Sequence, residues 1–248
     1  MIQTFYRLAL TALLCVTATH GIAQQPASDP AAEERVNQER LNKLLQGSDA
    51  GATPLSTLPP TKLGFVWTKL YGIEAEGAKF VYVFDRSASM SIARGKPLAA
   101  AKRELIASLA PLERVHQFYL IFYNQEARAF QPAAEAGKLI FATDANKTAA
   151  ERFINGIQPE GATDHYLALS LALKMRPDVI FLLTDGDAKD DLSEEDLAKL
   201  AKQNATATKI HVIQFTADLP TGVNLKTLAK DNQGEFKTVP FKELAGEK

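Results

Sequence analysis

Five oxygen-bearing side chains could act together although they are far apart in the chain. Asp85, Ser87 and Ser89 follow the apolar run Phe80-Val81-Tyr82-Val83-Phe84, and Asp185 follows the run ending Leu182-Leu183-Thr184. Thr163 lies in Glu160-Gly161-Ala162-Thr163-Asp164, just ahead of a helical pattern over 165–175. Singly, each is an ordinary turn or capping residue. Together they offer two carboxylates and three hydroxyls, a hard donor set that suits Mg²⁺ or Mn²⁺ with waters completing an octahedron. Zinc is disfavoured: Cys15 is the only thiol, and His116, His165 and His211 are widely spaced. Gly95-Lys96 lacks the earlier glycine of a phosphate loop, and no Gly-x-Ser-x-Gly elbow occurs. Lys189 stands where a calcium loop of the EF-hand type needs a ligand.

The elements around these residues predict how they are positioned. The runs at 80–84, 118–123, 179–183 and 210–215 are short, continuous and rich in strand formers, as strands buried on both faces are. Helical spacing falls between them, at Leu98, Ala101, Leu105 and Leu109, and at Ala150, Phe153, Ile154 and Ile157. Ser193-Glu194-Glu195-Asp196 reads as a capping box with Leu192 and Leu197 as its staple. This alternation predicts an α/β domain with a doubly wound, mostly parallel sheet and helices on both faces. In such a sheet ligands bind beyond the carboxyl ends of the strands where strand order reverses, which is where the polar residues fall.

The strings FVYVFDRSASM, GATD and LLTDGD, in that order, resemble the von Willebrand factor A (VWA) domain and its metal-ion-dependent adhesion site, Asp-x-Ser-x-Ser, then Thr, then Asp. The resemblance covers about 79–241, and its flavour is similar to VWA proteins of bacterial envelopes. It implies six strands, one of them a short antiparallel edge strand near 127–130, and the strand ending at Asp85 beside the strand ending at Thr184. It implies Ser87 and Ser89 as direct ligands, Thr163 direct or through water, and Asp85 and Asp185 acting mainly through water. The sixth position is left for a partner protein's carboxylate. Neutral hydroxyls leave most of the cation's charge uncompensated, so that it can still attract one. The family commonly has glycine where this chain has Ala88 and Ala162, so these loops must use backbone angles open to alanine or accept some strain. The acidic stretch Asp185, Asp187, Asp190, Asp191, Glu194, Glu195 and Asp196 reads as a solvated helix start, although beside a metal it would repel an acidic ligand.

Two other readings are distinguishable. The metal of a VWA module can be mainly structural, within an envelope assembly. The segment 186–191 resembles the acidic motif of haloacid-dehalogenase-type phosphohydrolases, but these need Asp-x-Asp after the first strand. Ser87 occupies the second position, so the proton-transfer carboxylate is missing. The expectation is a non-catalytic module.

Composition sets the remaining bounds. The chain has 248 residues with 28 basic and 29 acidic side chains, so it lacks the basic excess of a nucleic-acid binder. Residues 1–23 read as a cleavable signal peptide: Arg7, an apolar core from Leu8 to Val16, and a small-residue exit at Gly21-Ile22-Ala23. That core is about half of the ~20 residues a membrane span needs. Removal of this segment takes away Cys15 and leaves no integral span, for a secreted, periplasmic or envelope location. Residues 24–47 read as a polar segment with a helix, 48–77 as linker and lead-in, and 78–243 as the VWA-like domain.

Overall fold

The computed structural model describes residues 64–132, 138–186, 190–205, 207–216 and 223–244. The expected signal segment, polar segment and most of the linker lie outside these residues. The described chain starts with an antiparallel hairpin, β1 (Val66–Leu70) and β2 (Ile73–Gly77), inside the stretch read as lead-in. Leu70, Ile73 and Ala75 face inwards from it. Its Thr68 hydroxyl donates to the Ser108 carbonyl at 2.6 Å, and the Ser108 hydroxyl lies 2.9 Å from that of Tyr82, so a buried polar cluster pins the hairpin to the domain. The alternation in Trp67-Thr68-Lys69 is too short, and too interrupted by charge, to stand out as a strand from sequence.

The main sheet contains β3 (Lys79–Asp85), β4 (Gln117–Tyr123), β5 (Ala127–Ala129), β6 (Ile140–Phe141), β7 (Val179–Thr184), β8 (Lys209–Thr216) and β9 (Phe236–Pro240). Six of these follow the order β5-β4-β3-β7-β8-β9, and the two-residue β6 pairs with the start of β4. Strands β4, β3, β7, β8 and β9 are parallel, while β5 and β6 run antiparallel to β4. The expected edge strand is therefore β5, and β6 is a seventh strand that two residues could not announce.

Alternation along the strands separates two cores. Phe80, Tyr82, Phe84, Phe118 and Phe181 face α1 (Ile92–Leu109) and α2 (Asp144–Asn155). Val81, Val83, Ile121, Ile180 and Val212 face α3 (His165–Lys174), α4 (Glu194–Gln203) and α5 (Val223–Asp231). With both faces covered, the middle positions of β3, β4 and β7 are apolar on both sides, which is why these strands read as continuous runs. The predicted capping box forms: Asp196 N donates to Ser193 Oγ at 3.1 Å and Ser193 N to Asp196 Oδ2 at 3.1 Å. Strand order reverses at β3, since β4 lies on one side of it and β7 on the other. The chain leaves β3 towards α1 on one face and β7 towards α4 on the opposite face, so the two strand ends open a crevice between them.

Candidate metal centre

The crevice is held together by hydrogen bonds that start from the strand ends. Asp85 closes β3 and is fully buried. Its Oδ1 accepts from Ser87 N at 2.7 Å, which turns the chain so that Ser87 and Ser89 point to one side. Its Oδ2 accepts from the Thr184 hydroxyl at 2.6 Å, which fastens the end of β7 to the end of β3. Thr184 Oγ1 also accepts from Gly186 N at 2.8 Å and so shapes the turn that carries Asp185. Ser87 Oγ lies 3.0 Å from Ser89 Oγ, and Ser89 Oγ donates to Asp185 Oδ1 at 2.8 Å. Ser87 is buried, Ser89 exposed and Asp185 half-buried, so the row of oxygens leads from the interior to the surface.

The third loop is brought to the same end of the sheet. Ala88 N donates to the Gly161 carbonyl at 2.9 Å, and Glu160 N to the Arg86 carbonyl at 2.8 Å. The loop after β4 braces it: Asn124 Nδ2 donates to the Glu160 carbonyl at 2.8 Å, and Ala162 N to Gln125 Oε1 at 2.7 Å. Thr163 is half-buried on this loop, beside Gln125, Asp164 and Asp190 around a surface depression of about 370 Å³. Four of the five predicted residues thus form one hydrogen-bonded row, and Thr163 joins them through its loop. Neither Ala88 nor Ala162 takes a positive φ; Gly161 does, at +79°. Ala162 therefore fits where glycine is usual because the left-handed turn falls one residue earlier, at Gly161, whereas the loop at Ala88 makes no left-handed turn, Ser87 before it standing at φ −56°.

The charges around the centre are unevenly met. Burial raises the Asp85 carboxyl above its usual range, against the hydrogen bonds from Thr184 and Ser87, and Asp190 adds to the rise. Among the described residues no cation pairs with Asp85. Arg86, although next to it, turns away to Glu160 at 2.6 Å, and that bond holds the Glu160 carboxyl low. A buried carboxylate met only by neutral donors gains from a cation placed nearby. Much of the acidic stretch has structural work: Asp191 accepts from the backbone N–H groups of Asn224 and Leu225 at 2.9 and 3.1 Å, and Asp196 closes the capping box.

The donor set fits a hard divalent cation. With Mg–O distances of about 2.1 Å, neighbouring ligands of an octahedron stand about 3 Å apart. The Ser87–Ser89 oxygen spacing, 3.0 Å, matches that figure. Among the described residues no three His, Cys, Asp or Glu side chains cluster to hold a metal, so a site here must draw on hydroxyls.

Solved structures share this architecture. A von Willebrand factor type A protein from Catenulispora acidiphila matches with a TM-score of 0.56 at 19% identity, covering 73% of this chain and 46% of that one. The fold is that of a VWA domain. The pilus adhesin SpaC from Lactobacillus rhamnosus GG also matches, with a TM-score of 0.52 at 12% identity over 71% of this chain and 29% of that one. Proximal thread matrix protein 1 of the mussel byssus, solved with zinc in its MIDAS motif, matches at 0.50 and 19% identity over 68% of this chain and 43% of that one. The shared part is under half of each of these chains. No family model and no curated protein matches by sequence.

Several residues of the centre escaped the sequence reading. Thr184 is a lone hydroxyl closing an apolar strand, and Asn124 and Gln125 directly follow a strand, so the strand-end rule that selected Asp85 applies to them equally. His165 and Tyr123 carried no signal beyond their types. The His165 Nδ1 and the Tyr123 hydroxyl lie 2.7 Å apart under the centre, and burial holds His165 down at about 4.

Proposed function

We propose that this chain is a non-catalytic, exported VWA module that binds a partner protein through Mg²⁺ or Mn²⁺. Ser87, Ser89 and Thr163 supply hydroxyl ligands, and Asp85 and Asp185 act mainly through water. Bound there, the cation supplies a Lewis-acidic position to which a partner's carboxylate can add. The chain's own part is to hold neutral hydroxyls towards the ion while keeping its acidic charge in a second layer. Both Asp85 oxygens already accept hydrogen bonds from the protein, as that division requires. The observation that carries this reading is the Ser89–Asp185 hydrogen bond at 2.8 Å, which joins the two ends of the motif and sets the carboxylate behind a hydroxyl ligand.

The fold relatives support an interaction role, as one is a pilus adhesin and another a thread matrix protein. Export rests on the N-terminal sequence. Among the described residues no helix is long and apolar enough to cross a membrane. The test is capture of partners from an envelope extract on the immobilised chain, with Mg²⁺ and with chelator. Partners held only with Mg²⁺, and lost with Ser89→Ala, support the adhesive reading. Partners held equally under both conditions show that the metal is structural.

A further inference from the structure

We propose that His165 and Tyr123 are a buried positioning pair that sets the affinity of the centre for its cation by holding the Asp185-Gly186 turn in place. This rests on the metal reading above and adds two residues that contribute no ligand.

Tyr123 is fully buried and His165 is 2% exposed, in a layer whose other buried residues are Val, Ile, Leu and Ala apart from Tyr119. An apolar pair would fill this space without removing a phenol and an imidazole from water. Their mutual hydrogen bond meets the phenol oxygen and Nδ1 but leaves Nε2 with no partner among the described residues. A half-satisfied buried pair is a stability cost and calls for another role.

The geometry supplies one. A Cβ on Gly186 would stand 3.0 Å from His165 Nε2 and 3.0 Å from Thr184 Oγ1, so the imidazole edge lies directly against the backbone of this turn. Gly186 N is bound by Thr184 Oγ1, and its carbonyl accepts from Gln214 Nε2 at 2.8 Å. The turn is therefore gripped from three directions, and His165 is the wall on the side of α3. Tyr123 pairs in register with Asp85 on the neighbouring strand, so the phenol that orients the imidazole is anchored to the strand that carries the centre. A shift of the imidazole moves Gly186, and with it Asp185, whose Oδ1 must stay 2.8 Å from Ser89. Groups that orient ligands without touching the metal commonly govern affinity 10- to 100-fold.

The test is Mn²⁺ binding, followed by electron paramagnetic resonance of the free ion and by calorimetry, on the full chain and its variants. Tyr123→Phe removes one oxygen and preserves the packing. It is expected to weaken Mn²⁺ binding by about tenfold, and His165→Leu by that much or more. The double variant should be no weaker than the poorer single variant, because the two act as a unit. His165→Asn, which restores a polar atom near Nδ1, should recover part of the loss. Variants that melt at lower temperature but bind Mn²⁺ like the wild type would overturn the proposal and leave a packing role. Where His165→Leu fails to fold, Tyr123→Phe decides. Wild-type protein that takes up no Mn²⁺ would overturn the metal reading and this inference together, whereas normal wild-type binding with unchanged variants overturns this inference alone.

Discussion

Thr184 Oγ1 donates to Asp85 Oδ2 at 2.6 Å, joining the ends of two neighbouring parallel strands from positions 99 residues apart. Both residues are fully buried, and the same hydroxyl oxygen receives Gly186 N. Thr184→Val keeps the shape and deletes both bonds. It should cost about 1–3 kcal/mol for each group left unpaired, read from urea unfolding of the metal-free chain. Thr184→Ser keeps the hydroxyl and should lose only about 1 kcal/mol for the missing methyl. Equal losses in the two variants would show that the methyl, and not the bond, matters.

A divalent cation held at the proposed centre should stabilise the folded chain by mass action. At a hundredfold excess over its dissociation constant, Mg²⁺ or Mn²⁺ should add about 2.7 kcal/mol. Asp185→Ala should abolish this gain while changing metal-free stability little, since Asp185 is half-buried at the crevice mouth. Thermal melting with and without Mn²⁺ checks both. Identical curves for wild type and variant would refute the site.

The parallel sheet was legible because its strands are buried on both faces and so appear as unbroken apolar runs. The placement of Asp85, Ser87, Ser89 and Asp185 was legible because strand ends at a switch point are where a doubly wound fold puts its ligands. What stayed hidden has a physical reason in each case. The hairpin β1–β2 is half-exposed, so its pattern is mixed, and its docking rests on hydroxyl bonds from Thr68 to Ser108 that no periodicity reveals. The His165–Tyr123 contact joins the start of α3 to the end of β4, a pairing set by three-dimensional packing of residues 42 apart. Thr163 was legible as a polar loop residue, and the strand-end rule reaches Asn124 and Gln125 as well, but that these two brace the Thr163 loop follows only from where β4 lies.

Gly234 offers a check on the fold that does not involve the centre. A Cβ there would run into the backbone carbonyl of Ile210, and this is backbone against backbone, which cannot step aside. Gly234 N also donates to the Ala229 carbonyl at 2.9 Å, fixing the turn that leads into β9. Gly234→Ala should destabilise by about 3 kcal/mol or more, the upper range for overpacking. The folded fraction should bind Mn²⁺ as the wild type does, since β9 lies two strands from β7. Parallel loss of metal affinity would contradict the independence of the two regions.

Acid should weaken the fold through His211. The residue is 4% exposed, and its ring stacks on Phe181 at 5.3 Å and accepts from Glu235 N at Nδ1. Burial, with Lys209 adding, holds it down at about 4 against an ordinary 6.5. Because the folded value is the lower one, the unfolded chain binds more protons between these limits. The contribution is complete above pH 6.5 and is lost as pH falls towards 4, to a total of about 3 kcal/mol. His165 is held low as well and acts in the same direction. Asp85, whose carboxyl burial raises, acts in the opposite one. The difference between wild type and His211→Asn therefore isolates this histidine: chelator-treated samples, unfolded in urea from pH 7.5 to 4.5, should show the variant's stability falling less steeply below pH 6.5. Parallel profiles would mean that His211 is protonated as readily in the folded chain as in the unfolded one.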